Sequence, residues 1–302
     1  MMMKQDVVYL LDGSSYVHRA YHAIRNLSNS KGLPTNAVFG FSRMILKLLE
    51  EEKPSYLAVV LDAKGPTFRH EIFKDYKATR PPMPEDLQVQ VPYIRKMLSA
   101  LNVKVLEREG YEADDVIATL ARVGEQEGYG VVVISGDKDF RQIVTPAVSL
   151  WDTMKDRRLD YDSFLREYGL KPEQMIDVMG LSGDVADNIP GVKGIGEKTA
   201  LSLVKQFGSL EEVLRRADEV KRDRLRQSLK EQREEALLSK TLVRIDRFVP
   251  VEERIEDLRV GIPDERKLNN FPMEGELSGA PDPRLAASPN EPPSVCYVGG
   301  IA

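Results

Sequence analysis

Three short apolar runs in this chain each close on an aspartate, and that recurrence constrains the fold more than any other feature. The runs are DVVYLLD at 6–12, YLAVVLD at 56–62 and VVVISGD at 131–137. Each is almost wholly apolar and short, the mark of a strand buried on both faces of a parallel sheet. Longer stretches with helical spacing separate them. Residues 37–52 place Phe41, Ile45, Leu48 and Leu49 on one face, and Pro54 halts that helix before the second run. Residues 85–101 read as one helix opened by Pro84, 103–106 as a short strand, and 114–127 as a helix ended by Gly128 and Gly130. The alternation predicts an α/β fold with a mostly parallel central sheet flanked by helices. In such a sheet the strand-end carboxylates Asp12, Asp62 and Asp137 converge on one crevice.

Further acids join them: Asp139, the cluster Glu112, Asp114 and Asp115, and Asp184 and Asp187 in a GDVAD loop. Taken singly, each has an ordinary explanation. EADD can cap a helix, and a strand-end Asp can serve a turn. Taken together they cannot all stay ionised in one crevice unless cations lie between them. The soft ligands are scarce: one cysteine, Cys296, and three histidines, His18, His22 and His70. That excludes internal disulfides and thiolate zinc sites, fits a reducing compartment, and points to a hard ion, Mg²⁺ or Mn²⁺. Two such ions suit phosphodiester hydrolysis. His18 and His22 lie four apart with no acidic partner at metal spacing, so they read as core or surface residues. The N-terminal apolar stretch is closed by Asp12 and has no cleavage site of small residues, and no run reaches transmembrane length; the expected location is cytoplasmic.

The net charge is −5, so any basic nucleic-acid surface must be local. One candidate is the segment 64–82, read as a functional connection rather than a packing element. Its Lys64, Phe68, Arg69, His70, Lys74, Tyr76, Lys77 and Arg80 interleave cations with rings, either as a single-strand contact or as a charged solvated face. Another is the loop GVKGIGEKTA at 191–200. It fails as a Walker motif because Glu197 separates Gly196 from Lys198, and as a dinucleotide fingerprint because Thr199 holds the third-glycine position. What remains is a glycine hairpin feeding a helix, able to cradle a phosphate with Lys193 and Lys198 adding charge, or else an ordinary turn. Strands are expected to stop near Ser163. Residues 211–240 read as helical, with basic residues mixed among glutamates on a solvated face. The Pro-rich stretch 269–302 reads as a disordered tail.

The motifs YLLDGSSYVHRAYHA, FGF at 39–41, LDAKGPTFR at 61–69, YKATRPPMP at 76–84, EADD, SGDKDFRQIV at 135–144 and GDVADNIPGVKGIGEKTA at 183–200 resemble the bacterial 5′-nuclease family. The family comprises flap endonucleases and the N-terminal domain of DNA polymerase I. The resemblance implies a PIN-like nuclease core at 1–177 with an arch or gateway at about 64–95. It implies a helical DNA-binding region at 178–268 built on a helix–three-turn–helix hairpin at 184–200. It further implies a 5′→3′ exonuclease and 5′-flap endonuclease that removes RNA primers and displaced strands in replication and repair. By residue, Asp12, Asp62, Glu112, Asp114 and Asp137 match the surroundings of a first metal. Asp139, Asp184 and Asp187 match those of a second, with Asp115 near both. Lys77 and Arg80 match gateway residues on the scissile phosphate, Tyr76 a neighbouring stacking ring, and Gly191, Gly194 and Gly196 a duplex-holding hairpin that can also hold K⁺. Arg69 and Thr199 join the implied DNA contacts, and Asp114 and Asp137 the catalytic set. The implied partners are branched or nicked DNA with a free 5′ end, RNA-primed DNA, and a DNA polymerase, the protein itself being a monomer without polymerase activity.

Overall fold

The computed structural model describes residues 6–25 and 27–269. The expected tail at 269–302 therefore lies outside the described residues but for its first position. Strand β1 (Val7–Asp12) leads into α1 (Gly13–Ala23), α2 (Asn36–Glu52) and β2 (Tyr56–Val60). Next come α3 (Phe68–Ile72), α4 (Glu85–Gln88), α5 (Val91–Ala100), β3 (Lys104–Leu106), α6 (Ala113–Gln126) and β4 (Gly130–Ile134). A hairpin of β5 (Val148–Asp152) and β6 (Arg157–Leu159) closes the sheet. Helices follow: α7 (Tyr161–Tyr168), α8 (Met175–Ser182), α9 (Glu197–Phe207), α10 (Leu210–Arg215), α11 (Asp223–Glu231), α12 (Arg233–Val243) and α13 (Glu265–Asn269).

The strand order is β3-β2-β1-β4-β5-β6, parallel throughout except for antiparallel β6. The three apolar runs are its central strands, and alternate side chains enter opposite cores. Val8 and Leu10 of β1 face the same core as Ala58 and Val60 of β2 and Val131 and Val133 of β4. Tyr9, Leu11, Leu57, Val59, Val132 and Ile134 face the other, with residues of α1, α2 and α5. The first core does not end at the sheet. It includes residues of α6 and Phe140 and Ile143, and continues to Val178 and Leu181 of α8, Leu203 and Val204 of α9, and Leu242 of α12. Order reverses between β1 and β4, so the crevice beyond their C-terminal ends is the topological switch point, where open α/β sheets bind ligands.

Three expectations need correction. The helix at 85–101 is two, because Pro92 has no N–H to donate to Gln88 and the ladder breaks there. Gln90, at the break, accepts hydrogen bonds from the N–H groups of Ala37 and Val38 at the start of α2 (2.8 and 3.2 Å). The helix at 211–240 is divided into α10, a 3₁₀ turn, α11 and α12. Val220 turns into the core at one break, and Gln232 at another accepts the Lys193 N–H (2.7 Å). The segment 64–82 is in part a packing element, since Arg69 and Tyr76 are both buried.

Candidate active site

Each strand-end acid lies where the sheet delivers it. Asp12 ends β1, caps α1 by accepting from Ser15 N (3.0 Å), and accepts from the Ser135 hydroxyl at 2.7 Å. Asp62 follows β2 and accepts from Ala113 N (2.9 Å), which ties it to the start of α6. Asp137 follows β4 and accepts from Asp139 N (2.9 Å). Glu112 is the N-cap of α6, with Asp114 in its first turn. Acids thus arrive from β1, β2, β4 and the helix after β3.

Burial makes this crowding costly. It pushes Asp12 up to about 6, with Asp62 and Asp137 adding to the rise against its two hydrogen bonds. It pushes Asp139 up to about 8, with Asp137 and Asp184 as repelling neighbours. Asp114 is held well above the usual range by burial and by Asp12, Asp137, Asp62 and Glu112 together. Burial also raises Asp184, but Lys138 at 2.8 Å outweighs it and holds that carboxyl below its ordinary value. Three buried acids that resist ionisation in one crevice call for positive charge.

Part of that charge is built in. Lys77 pairs with Glu112 and lies 3.7 Å from Asp187, while Arg80 pairs with Asp187. Burial works against the Lys77 ammonium, but Glu112 and Asp187 hold its pKa above the ordinary lysine value. The remaining charge suits hard divalent ions. The donors are all carboxylate oxygens, and Asp139 Oδ1 is buried with no hydrogen-bond partner. Among the described residues no three of these groups already form a closed cage round one point. The donor chemistry therefore fits a hard divalent ion.

Four sequence-derived assignments change. Asp115 is fully buried and bidentate to Arg69 (both contacts 2.7 Å), so its oxygens are committed away from the crevice. Arg69 in turn donates to the carbonyls of Leu242 (2.9 Å) and Arg244 (2.8 Å), which leaves it no face for DNA. Tyr76 is 3% exposed and donates its hydroxyl to Glu112 (3.0 Å), so its ring is not an open stacking platform. Gly191 is buried with φ +60°, and an added Cβ would lie 2.3 Å from Gly183 N; it is a packing glycine, not a phosphate contact. Gly194, Gly196, Lys193 and Lys198 are exposed, and Thr199 is half-buried. Gly196 precedes α9, whose first turn has no side-chain cap, so N–H groups there are open to an anion.

Lys138, Arg141 and Ser135 are site residues that sequence reasoning passed over. Lys138 and Arg141 line a cavity of about 290 Å³ with Ser182, Asp184 and Glu197, between the turn after β4 and the start of α9. The signal was available in SGDKDFRQIV, where two cations alternate with the aspartates.

A mostly parallel sheet with acids gathered at its switch point and a helical region beside them is an arrangement suited to metal-assisted phosphoryl-transfer chemistry. Residues 7–169 match the model of the 5′-3′ exonuclease N-terminal resolvase-like domain, and 170–266 that of the 5′-3′ exonuclease C-terminal SAM fold. The chain is 40% identical over 270 residues to a 5′-3′ exonuclease of Aquifex aeolicus, covering 89% of this chain and 92% of that protein. It is 47% identical over 271 residues to DNA polymerase I of Bacillus caldotenax, covering 88% of this chain but only 31% of that protein's length. Among solved structures, T5 5′-exonuclease with bound zinc superimposes with a TM-score of 0.66 at 22% identity, over 78% of this chain and 89% of that one. The chain belongs to the 5′-3′ exonuclease family and is accordingly a nuclease. No helix among the described residues is long and apolar enough to cross a membrane.

Proposed function

We propose that the chain hydrolyses phosphodiester bonds near free 5′ ends of branched or nicked duplex DNA. It acts as a 5′→3′ exonuclease and structure-specific 5′-flap endonuclease on the RNA primers and displaced strands of replication and repair. The observation that carries this reading is the convergence of Asp12, Asp62, Glu112, Asp114, Asp137 and Asp139 at one switch point, with Lys77 and Arg80 held against its rim. Asp12, Asp62, Glu112, Asp114 and Asp137 would hold a first Mg²⁺, and Asp139, Asp184 and Asp187 a second, with Mn²⁺ able to substitute. When bound, such ions supply the positive charge that ionises an attacking water and stabilises the leaving oxygen.

The chain's own residues do the rest. Lys77 and Arg80 exchange their carboxylate partners for oxygens of the scissile phosphate and stabilise its developing charge. Ser135 holds Asp12 by a 2.7 Å hydrogen bond, which fixes the carboxylate's orientation. Lys193, Lys198 and the N–H groups at the start of α9 grip the duplex backbone without reading sequence, with K⁺ as a further ligand of that hairpin. Residues 1–177, together with Asp184 and Asp187, carry the chemistry, and the rest of 178–268 the duplex grip. The protein works as a monomer, with a DNA polymerase as its partner.

Cleavage of a 5′-labelled flap duplex, a matched blunt duplex and a single strand, each in Mg²⁺ and in EDTA, tests the reading. Mg²⁺-dependent cutting near the flap junction, abolished by EDTA, is expected. Flap binding without cutting in either Mg²⁺ or Mn²⁺ would overturn it in favour of a silent, structure-specific DNA-binding module.

A further inference from the structure

Five non-glycine residues among those described have positive φ, and two of them meet at the site: Lys77 at +55° and Asn188 at +57°. The left-handed region is uncommon for non-glycine residues and persists where the surroundings hold it. Here the two turns are bonded to each other in both directions. Lys77 N–H donates to the carbonyl of Asp187 at 2.9 Å. The Asn188 side-chain amide donates to the carbonyl of Asp75 at 2.7 Å, across 113 residues of sequence. The Asp184–Asn188 turn is closed by reciprocal backbone bonds between Asp184 and Ile189 (2.9 and 2.7 Å), so Asn188 projects from a rigid base. Asparagine tolerates this conformation in any turn. A turn role alone would leave its amide to satisfy local groups, whereas this amide reaches the segment that carries Lys77.

We propose that Asn188 is a positioning residue that sets Lys77 for cleavage, by clasping the turn that carries Lys77 to the turn that carries Asp187. This rests on the nuclease reading, in which Lys77 contacts the scissile phosphate. The clasp fixes the backbone origin of the Lys77 side chain relative to Asp187. The ammonium then swings only through its side-chain torsions, from carboxylate to phosphate.

The test is single-turnover flap cleavage in Mg²⁺ and flap binding by Asn188→Gly and Asn188→Asp, each with Lys77 present and with Lys77→Ala. Glycine accepts φ +57° freely but has no amide; aspartate keeps the turn preference but cannot donate while ionised. Both variants should cleave about 10- to 100-fold more slowly, the loss that misplacement by roughly 1 Å brings. Binding should stay within about threefold, and neither change should slow the Lys77→Ala protein further, because the two residues act through one contact. Cleavage at the wild-type rate, or the same fold-loss with and without Lys77, would overturn the clasp. So would loss of a cooperative melting transition in both variants, which would make Asn188 a folding residue. If Lys77→Ala itself cleaves like wild type, the role of Lys77 fails instead, and the two failures are distinguishable.

Discussion

Replacing Asp115 with alanine separates architecture from chemistry at this site. Asp115 accepts two hydrogen bonds from Arg69, one from Glu112 N (3.1 Å) and one from Asp246 N (2.8 Å). Arg69 is 2% exposed and cannot reach water when its partner is removed. Breaking a buried pair in this way costs about 3–5 kcal/mol, and the lower part of that range applies to the pair itself because Glu112, 3.3 Å from Arg69, still compensates part of the charge. The N–H groups of Glu112 and Asp246 also lose their acceptor, at roughly 1 kcal/mol for the buried Glu112 N–H and less for the half-buried Asp246 N–H, although the terms overlap and do not sum. Taking about 4 kcal/mol in total, and about 2–4 °C of melting temperature per kcal/mol for a body of this size, Asp115→Ala should melt roughly 10 °C lower. The double variant Arg69→Met with Asp115→Leu removes both charges and should recover most of that loss. Thermal melts of the three proteins supply the first comparison. The Mg²⁺ concentration for half-maximal flap cleavage, measured on the double variant, supplies the second. Melting of Asp115→Ala within about 2 °C of wild type would refute the packing argument. A rise in the Mg²⁺ requirement of more than about tenfold in the double variant would return Asp115 to the ligand set.

Other expectations follow from the same geometry. Asp114→Ala and Asp187→Ala should each abolish flap cleavage while leaving flap binding within about threefold by gel shift, since phosphate contacts lie elsewhere; near-wild-type cutting by either would break the metal assignment. Asp12 and Asp139 are raised to about 6 and about 8, so their protonation stabilises the metal-free fold. That stabilisation is complete below the unfolded carboxylate range and is lost as pH rises through 6 and then 8. The melting temperature in EDTA should therefore climb as pH falls from 8.5 to 6, roughly, and saturating Mg²⁺ should flatten the slope. Gly191→Ala should cost at least about 2 kcal/mol in a denaturant melt, from strain at φ +60° and from the clash with Gly183.

The central strands were legible because a strand buried on both faces must be apolar at every position, as 7–11 and 56–60 are. The β5–β6 hairpin was not singled out, since the exposed arginines of β6 at 157 and 158 break the apolar run that marks a buried strand. Strand-end acids were legible for a related reason: an ionisable residue directly after an apolar run stands out. Asp114 and Asp115 show the limit. They are neighbours of identical type, yet one helical step of about 100° turns one toward the crevice and the other toward Arg69. Nothing local distinguishes them, because the deciding partners lie at 69, 242, 244 and 246. Arg69 and Tyr76 were misplaced for the same reason. A basic–aromatic segment looks alike whether its cations meet phosphates or buried carboxylates.

The apolar core that passes unbroken from β1, β4 and α6 into α8, α9 and α12 has a consequence for how the chain melts and how it can be cut. Separate halves would each expose a face of Val, Leu and Phe that the other now covers, so neither is a self-sufficient folding unit. Heating should give one calorimetric peak rather than two. A protease that nicks between α7 and α8 should leave fragments that remain associated until the whole body unfolds. Evolution could then lengthen or reshape the loops above the sheet, but it could not hand the duplex-gripping helices to another protein without supplying a new floor for them to rest on.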